Sequence, residues 1–403
     1  MILKKKNFIY CLYFFMVIIS FALSLNIFNA EFRWFLNKIF YLVFISLFFL
    51  IVDVKGFNRR NLIIFSLIIM YIVSIFYTSL INFGIISGFA FFISKGLLYG
   101  LITILLLEMV VEFDLKKVLF PFFVLFNIII FLSILVYLGF EPKYYLDNDE
   151  SLDYYIGIKD RDSISGFSGI FLNQNTLGIF CFLTIVLNYI FINIYNEKKI
   201  IFSIVFLLIT SLLFLLLTLS RGAIVSFILF FFIISLKFYR YKSMYIFYCI
   251  IFLMFSIFYL NFNDFFEKLL FRMENDGTSL RTEIWANAFE TIKNNLYFGV
   301  GDFKYVNYLG HELSAHNAYI QKIASDGLIA FLLWLFLILI TLFFSISHIF
   351  KYDNKVIIAI NVVFICILVN QFFESMILNI FNPITLFFIL IVSIILNGRY
   401  LKY

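Results

Sequence analysis

The chain has 403 residues, 64% of them hydrophobic and only 13% charged, with a formal net charge of +6 and a mean hydropathy of +1.05. A soluble domain is about half apolar and about a quarter charged, so a soluble enzyme is excluded. The positive charge forms no basic patch interleaved with aromatics outside the apolar runs, which excludes a nucleic-acid binder.

Apolar runs approaching or exceeding the roughly 20 residues that a bilayer core demands are centred near residues 17, 45, 71, 98, 128, 182, 210, 229, 252, 339, 364 and 388. They predict an all-α, polytopic integral membrane protein of about 12 transmembrane helices, with residues 1–403 forming a single polytopic domain. Alternate connections are basic: Lys4, Lys5 and Lys6; Lys55, Arg59 and Arg60; Lys116 and Lys117; Lys198 and Lys199; Lys237, Arg240 and Lys242; Lys351 and Lys355; Arg399 and Lys402. By the positive-inside bias these lie in the cytoplasm, as do both termini, and the +6 is that bias. Cys11, Cys181, Cys249 and Cys366 all fall inside apolar runs without CxxC spacing, so neither a disulfide framework nor a zinc site is expected.

Two segments assigned to the outer side are long. Residues 139–169 are acidic and turn-rich, and residues 261–315, between spans 9 and 10, form the longest polar stretch. Within the latter, residues 280–294 read as an amphipathic helix. Leu280, Ile284, Trp285, Ala288, Phe289 and Ile292 share one arc at 100° per residue, with Thr282, Glu283, Asn287, Glu290 and Lys293 opposite or at its edge. Arg281 falls in the apolar arc. It either points inward, where it needs an anion, or snorkels to water from the first turn.

Several residues have chemistry suited to a site. Arg221, in Thr218-Leu219-Ser220-Arg221-Gly222-Ala223, lies at an outer membrane boundary. It is either an interfacial anchor or a bidentate phosphate ligand beside a glycine that permits close approach. Residues 166–175 open the sixth span with the amides Asn173 and Asn175, suited to helix packing or to ligand contact. Gly299 and Gly301 form a tight turn that is neither a Walker loop nor a dinucleotide fingerprint. His316 and Asn317 stand where the long loop enters the tenth span. The histidine is a general base or a structural hydrogen-bonder, and the amide is a helix cap or a ligand for sugar hydroxyls.

His311 is a weaker base, and whether Glu374, at the outer end of the eleventh span, joins the outer site is not fixed by the sequence. Asp147-Asn148-Asp149 mimics a metal-binding carboxylate pair. Lys95 and Glu108 are charges inside the fourth span, with Lys95 suited to a lipid phosphate.

In order and spacing these motifs resemble the bacterial O-antigen ligase and O-antigen polymerase superfamily. The family's His-[Asn/Ser/Gln] pair, followed after nine residues by Gly, reads here as His316, Asn317 and Gly327, with Ala330 in a last position usually held by Gly, Thr or Tyr. Its Arg-x-x-x-Leu motif matches at Arg221, with Val225 replacing Leu. Its Arg-x-x-x-Trp helix and Gly-x-Gly turn appear as Arg281, Trp285, Gly299 and Gly301, and its asparagine segment as residues 166–175.

The resemblance implies a metal-independent and cofactor-free membrane glycosyltransferase at the outer face of the cytoplasmic membrane. The donor is a glycan on undecaprenyl diphosphate. The acceptor is a second lipid-linked glycan, lipid A core or a protein hydroxyl, and the lack of a large soluble C-terminal domain favours the first two. Arg221 and Arg281 hold the diphosphate, His316 takes the acceptor's proton, and Asn317, Asn173, Asn175, Gly299 and Gly301 contact substrate. The competing class is a transporter or flippase of lipid-linked oligosaccharide, for which Lys95 is the one supporting feature; the small number of prolines and the lack of halved symmetry weigh against it.

Overall fold

A computed structural model describes residues 2–25, 28–51, 59–140, 144–145, 151–152, 166–171, 173–238, 279–306 and 312–398. Among them are twelve α-helices: α1 (Ile2–Ser24), α2 (Ala30–Ile51), α3 (Arg59–Phe91), α4 (Leu98–Glu112), α5 (Leu115–Tyr137), α6 (Gln174–Ile194), α7 (Lys198–Leu217), α8 (Arg221–Phe238), α9 (Ser279–Asn294), α10 (Ala318–Lys351), α11 (Lys355–Asn370) and α12 (Pro383–Asn397). Eight are long and apolar enough to cross a membrane (α1, α2, α3, α5, α6, α7, α8 and α10), and α11 and α12 are shorter apolar helices. The protein is an all-helical polytopic membrane protein. The run expected near residue 252 lies outside the described residues. Among the described residues, strand structure is limited to two antiparallel ladders, β1 (Tyr144–Tyr145) with β2 (Ser151–Leu152) and β3 (Tyr305–Val306) with β4 (Glu312–Leu313).

The third and fourth apolar runs are the two legs of one hairpin. Helix α3 is interrupted at Gly84, whose φ of 72° reverses the chain in a region that L side chains rarely adopt. A π-helical segment, Phe92–Leu97, then leads into α4. A Cβ on Gly88 would lie 2.4 Å from the Ser79 carbonyl oxygen, one on Gly96 2.6 Å from Ile75, and one on Gly100 2.4 Å from Ile72. Small residues at these positions let the two backbones approach closely, as helices in lipid require. The ascending glycines meet descending partners, so the legs are antiparallel.

Helix α6 occupies the centre. Its residues from Leu177 to Leu187 are almost all fully buried, and it packs against α5, α7, α8 and α11. Between α5 and α6, Asn127 and Asn188 exchange amide hydrogen bonds of 3.1 and 3.2 Å, which satisfies two polar groups that lipid could not. Helices α11 and α12 are buried along nearly their whole length.

A second, smaller core gathers at one end of the bundle. It consists of Ile284 and Ala288 of α9, Phe303, Ala315 and Ala324, with Trp285, Val300, Tyr305 and Ile320 packed around them. The amphipathic reading of α9 accounts for Ile284 and Ala288, and for the exposure of Thr282, Glu283, Asn287, Glu290 and Lys293. Phe289 departs from it: expected in the apolar arc, it is 56% exposed, because its edge of the helix finds nothing to pack against among the described residues.

Candidate functional site

The small core sets the geometry of the site. The Gly-x-Gly turn after α9 docks against a break in α10 at Gly327, where φ is 80°. Val300 N–H donates to the Ala324 carbonyl (3.0 Å), Gly301 N–H to Ser325 (2.7 Å) and Leu328 N–H to Leu296 (2.8 Å). A Cβ on Gly299 would fall 2.4 Å from the Ser325 carbonyl oxygen, and one on Gly327 2.3 Å from that of Tyr297. The two glycine motifs, which look separate in sequence, are the two halves of one backbone contact. Gly299 and Gly301 join the loop to the head of α10.

That join presents His316. Trp285 Nε1–H donates to the Ala315 carbonyl at 2.8 Å, and Ala315 N–H donates to Gln321 Oε1 at 2.8 Å. On the other side, Asn317 caps α10: its Oδ1 accepts from Tyr319 N–H (3.0 Å) and Ile320 N–H (3.1 Å). Its Nδ2 donates to the Phe372 carbonyl at 3.3 Å, and Ala318 N–H donates to the Gln371 carbonyl at 2.9 Å. With both neighbours pinned, His316 is held at a φ of 47°, a left-handed conformation that costs a non-glycine residue of order 1–3 kcal/mol and persists only where the surroundings impose it.

The imidazole meets a carboxylate that follows α11. His316 Nδ1 lies 3.4 Å from Glu374 Oε2. Glu374 Oε1 accepts from Asn175 Nδ2 at 2.6 Å and lies 3.8 Å from Arg281 Nη2. Glu374 is buried, whereas Arg281 and His316 each keep 29% of their side chains exposed. The inward reading of Arg281 is therefore the one the structure adopts, and an anion within the protein faces it. A carboxylate with three partners is anchored: a hydrogen bond to a charged group contributes about 1.5–3 kcal/mol.

Arg221 stands at the first turn of α8, partly buried, two residues after Leu219, which is, among the described residues, the other non-glycine residue with positive φ, at 53°. Its neighbour Gly222 would place a Cβ 3.0 Å from Phe373 Cβ and 3.1 Å from Asn370 Nδ2. The residue after the arginine thus packs closely against the turn that carries Glu374. Asn173 caps α6, its Oδ1 accepting from Asn175 N–H at 2.8 Å, and so aims Asn175 at Glu374.

The sequence leaves the place of Glu374 open, because the segment that ends a buried helix carries no motif. Lys95, read as suited to a lipid phosphate, is instead 2.6 Å from Asp302 Oδ1 of the glycine turn. Asp147, Asp149 and His311 lie outside the described residues.

Residues 205–335 match the family model described as O-antigen ligase. That stretch takes in Arg221, Arg281, Gly299, Gly301, His316, Asn317 and Gly327; Glu374, Asn173 and Asn175 lie beyond it. No curated protein matches the chain.

Proposed function

We propose that the protein moves a glycan from undecaprenyl diphosphate to an acceptor hydroxyl at the outer face of the bacterial cytoplasmic membrane, in surface-polysaccharide assembly, as a polymerase or ligase. The O-antigen ligase domain over residues 205–335 supports membrane glycan transfer, and the alternating basic connections support the sidedness. The single observation that carries the reading is the convergence of His316, Arg281 and Asn175 on the buried Glu374.

In this reading Glu374 Oε2 accepts from His316 Nδ1–H, which fixes the tautomer and leaves Nε2 with a lone pair. Nε2 takes the proton of the acceptor hydroxyl as its oxygen attacks the anomeric carbon. The bond from that carbon to the diphosphate oxygen breaks, and undecaprenyl diphosphate leaves with the electron pair. Arg281, with its guanidinium partly exposed, and Arg221 face the diphosphate and offset the charge that grows on it. Asn317, Asn173, Gly299 and Gly301 position these groups rather than contacting substrate. Asn175 holds the carboxylate.

Lys95, the feature that favoured a transporter, pairs with Asp302. The test is purified protein in liposomes with an undecaprenyl-diphosphate oligosaccharide as the only glycan. Longer lipid-linked chains, absent with His316→Ala, establish a polymerase. Product that forms only when lipid A core is added establishes a ligase. Neither product overturns the reading.

A further inference from the structure

A cavity of about 360 Å³ has Ser314 and Ser375 in its lining. That volume is at the lower end of the ~300–1,000 Å³ usual for small-molecule sites. Ser314 is two residues before His316, and Ser375 follows Glu374; Ser375 Oγ donates to Ser314 Oγ at 3.4 Å. Both serines line the cavity, and their neighbours in the chain are the residues of the site. None of Arg221, Arg281 and His316 lines it.

Two ion pairs shape the interior. At the mouth, Lys95 of the π-helical segment meets Asp302, each nearly half exposed. At the floor, Lys322 and Asp326, one turn apart on α10 and about nine-tenths buried, pair with each other, and the lysine also donates to the Tyr71 hydroxyl. Tyr71 and Tyr99 add aromatic surface.

The charges balance within the cavity, and that decides the ligand class. A diphosphate would have to displace Asp302 or Asp326 from its lysine and leave a carboxylate unpaired, which is costly away from water. A polyol does the opposite: its hydroxyls donate to the carboxylates and accept from the ammonium groups while the pairs stay intact. We propose that this cavity is the subsite for the uncharged acceptor sugar, delivering its hydroxyl past Ser314 and Ser375 to His316. The inference rests on the transferase reading of the neighbouring site.

The test measures binding apart from turnover. The probe is the delipidated repeat-unit oligosaccharide released from the host's own lipid-linked pool, followed by saturation-transfer difference NMR on protein in nanodiscs. The unsubstituted protein and His316→Ala bind it alike. Asp302→Asn, at the exposed mouth, and Asp326→Asn combined with Lys322→Met, at the floor, each weaken it at least tenfold. Asp302→Asn keeps the test decisive if the floor variant fails to fold. No binding to the unsubstituted protein, or equal binding to the variants, overturns the subsite. Displacement of the sugar by inorganic pyrophosphate also overturns it, in favour of a donor site. Sugar binding lost in the variants, with no transfer by the unsubstituted protein, leaves the subsite standing and removes the transferase reading.

Discussion

Glu374 Oε2 lies 3.4 Å from His316 Nδ1, although 58 residues separate the two in sequence. The same carboxylate reaches Asn175, 199 residues away, at 2.6 Å, so one buried acid ties the heads of α6 and α10 to the end of α11. An imidazole held in this way is oriented in advance, which in the proposed transfer spares the reaction the entropy of aligning its base.

Glu374→Gln preserves size and leaves Oε1 able to accept from Asn175. It also places an amide nitrogen where His316 Nδ1–H donates, so the imidazole turns or changes tautomer. General-base catalysis supplies about 10²–10⁴-fold. Transfer by Glu374→Gln in proteoliposomes therefore falls about 10²-fold in kcat, with the KM for the lipid-linked donor little changed. A loss of less than about threefold contradicts the orienting role.

The left-handed backbone of His316 separates function from stability. His316→Ala keeps the strain of a φ near 47° and removes the imidazole, whereas His316→Gly removes both. A side chain in this region costs about 1–3 kcal/mol. Both variants insert and lose transfer, and His316→Gly melts higher than His316→Ala in the same detergent. Equal melting temperatures show that the conformation is not strained.

The architecture was legible wherever one segment carries its own signal. Apolar runs and alternating lysines mark the helices, and the arc of α9 marks Ile284 and Ala288 as inward and aims Arg281 the same way. What no local pattern carries is which ends meet. Glu374 follows an apolar helix without any motif, and Lys95 sits in another with no sign that Asp302 lies opposite. Phe289 satisfies the helical period and is exposed, because periodicity gives a face and not what covers it. The glycines are legible as turns, but their docking onto Gly327 is a tertiary fact.

The two arginines differ in what they tolerate. Arg281 faces a buried carboxylate at 3.8 Å with part of its fork exposed, so in the proposed transfer it serves the protein and the diphosphate together. Lysine keeps the charge and loses the fork. Arg281→Lys loses about 90% or more of transfer, and Arg221→Ala loses all of it, with both proteins inserted at normal levels. Full activity in Arg281→Lys shows that a point charge suffices there and removes the bidentate role.

A leaving group that is already a diphosphate needs no metal in this scheme. Transfer therefore continues unchanged after incubation with EDTA. Loss of activity that Mg²⁺ or Mn²⁺ restores assigns the chemistry to a cation, with Asp147 and Asp149 the first residues to substitute.

Two glycines with similar backbone angles distinguish strain from contact. Gly84 has φ 72° and nothing within 4 Å of an added Cβ, whereas at Gly327, with φ 80°, that atom lies 2.3 Å from the Tyr297 carbonyl oxygen and 2.5 Å from its carbon. Alanine at Gly84 therefore costs only the conformational strain, about 1–3 kcal/mol. At Gly327 overpacking adds a further ~1–3 kcal/mol, and the backbone it meets cannot swing aside as a side chain does. The turn at residues 299–301 must separate from α10, which releases the hydrogen bonds of Val300, Gly301 and Leu328 and with them the support under Ala315. Gly84→Ala lowers the melting temperature modestly and keeps activity. Gly327→Ala loses activity together with the protease resistance of residues 279–306. If the two variants behave alike, the contact between turn and helix is not what holds His316 in place.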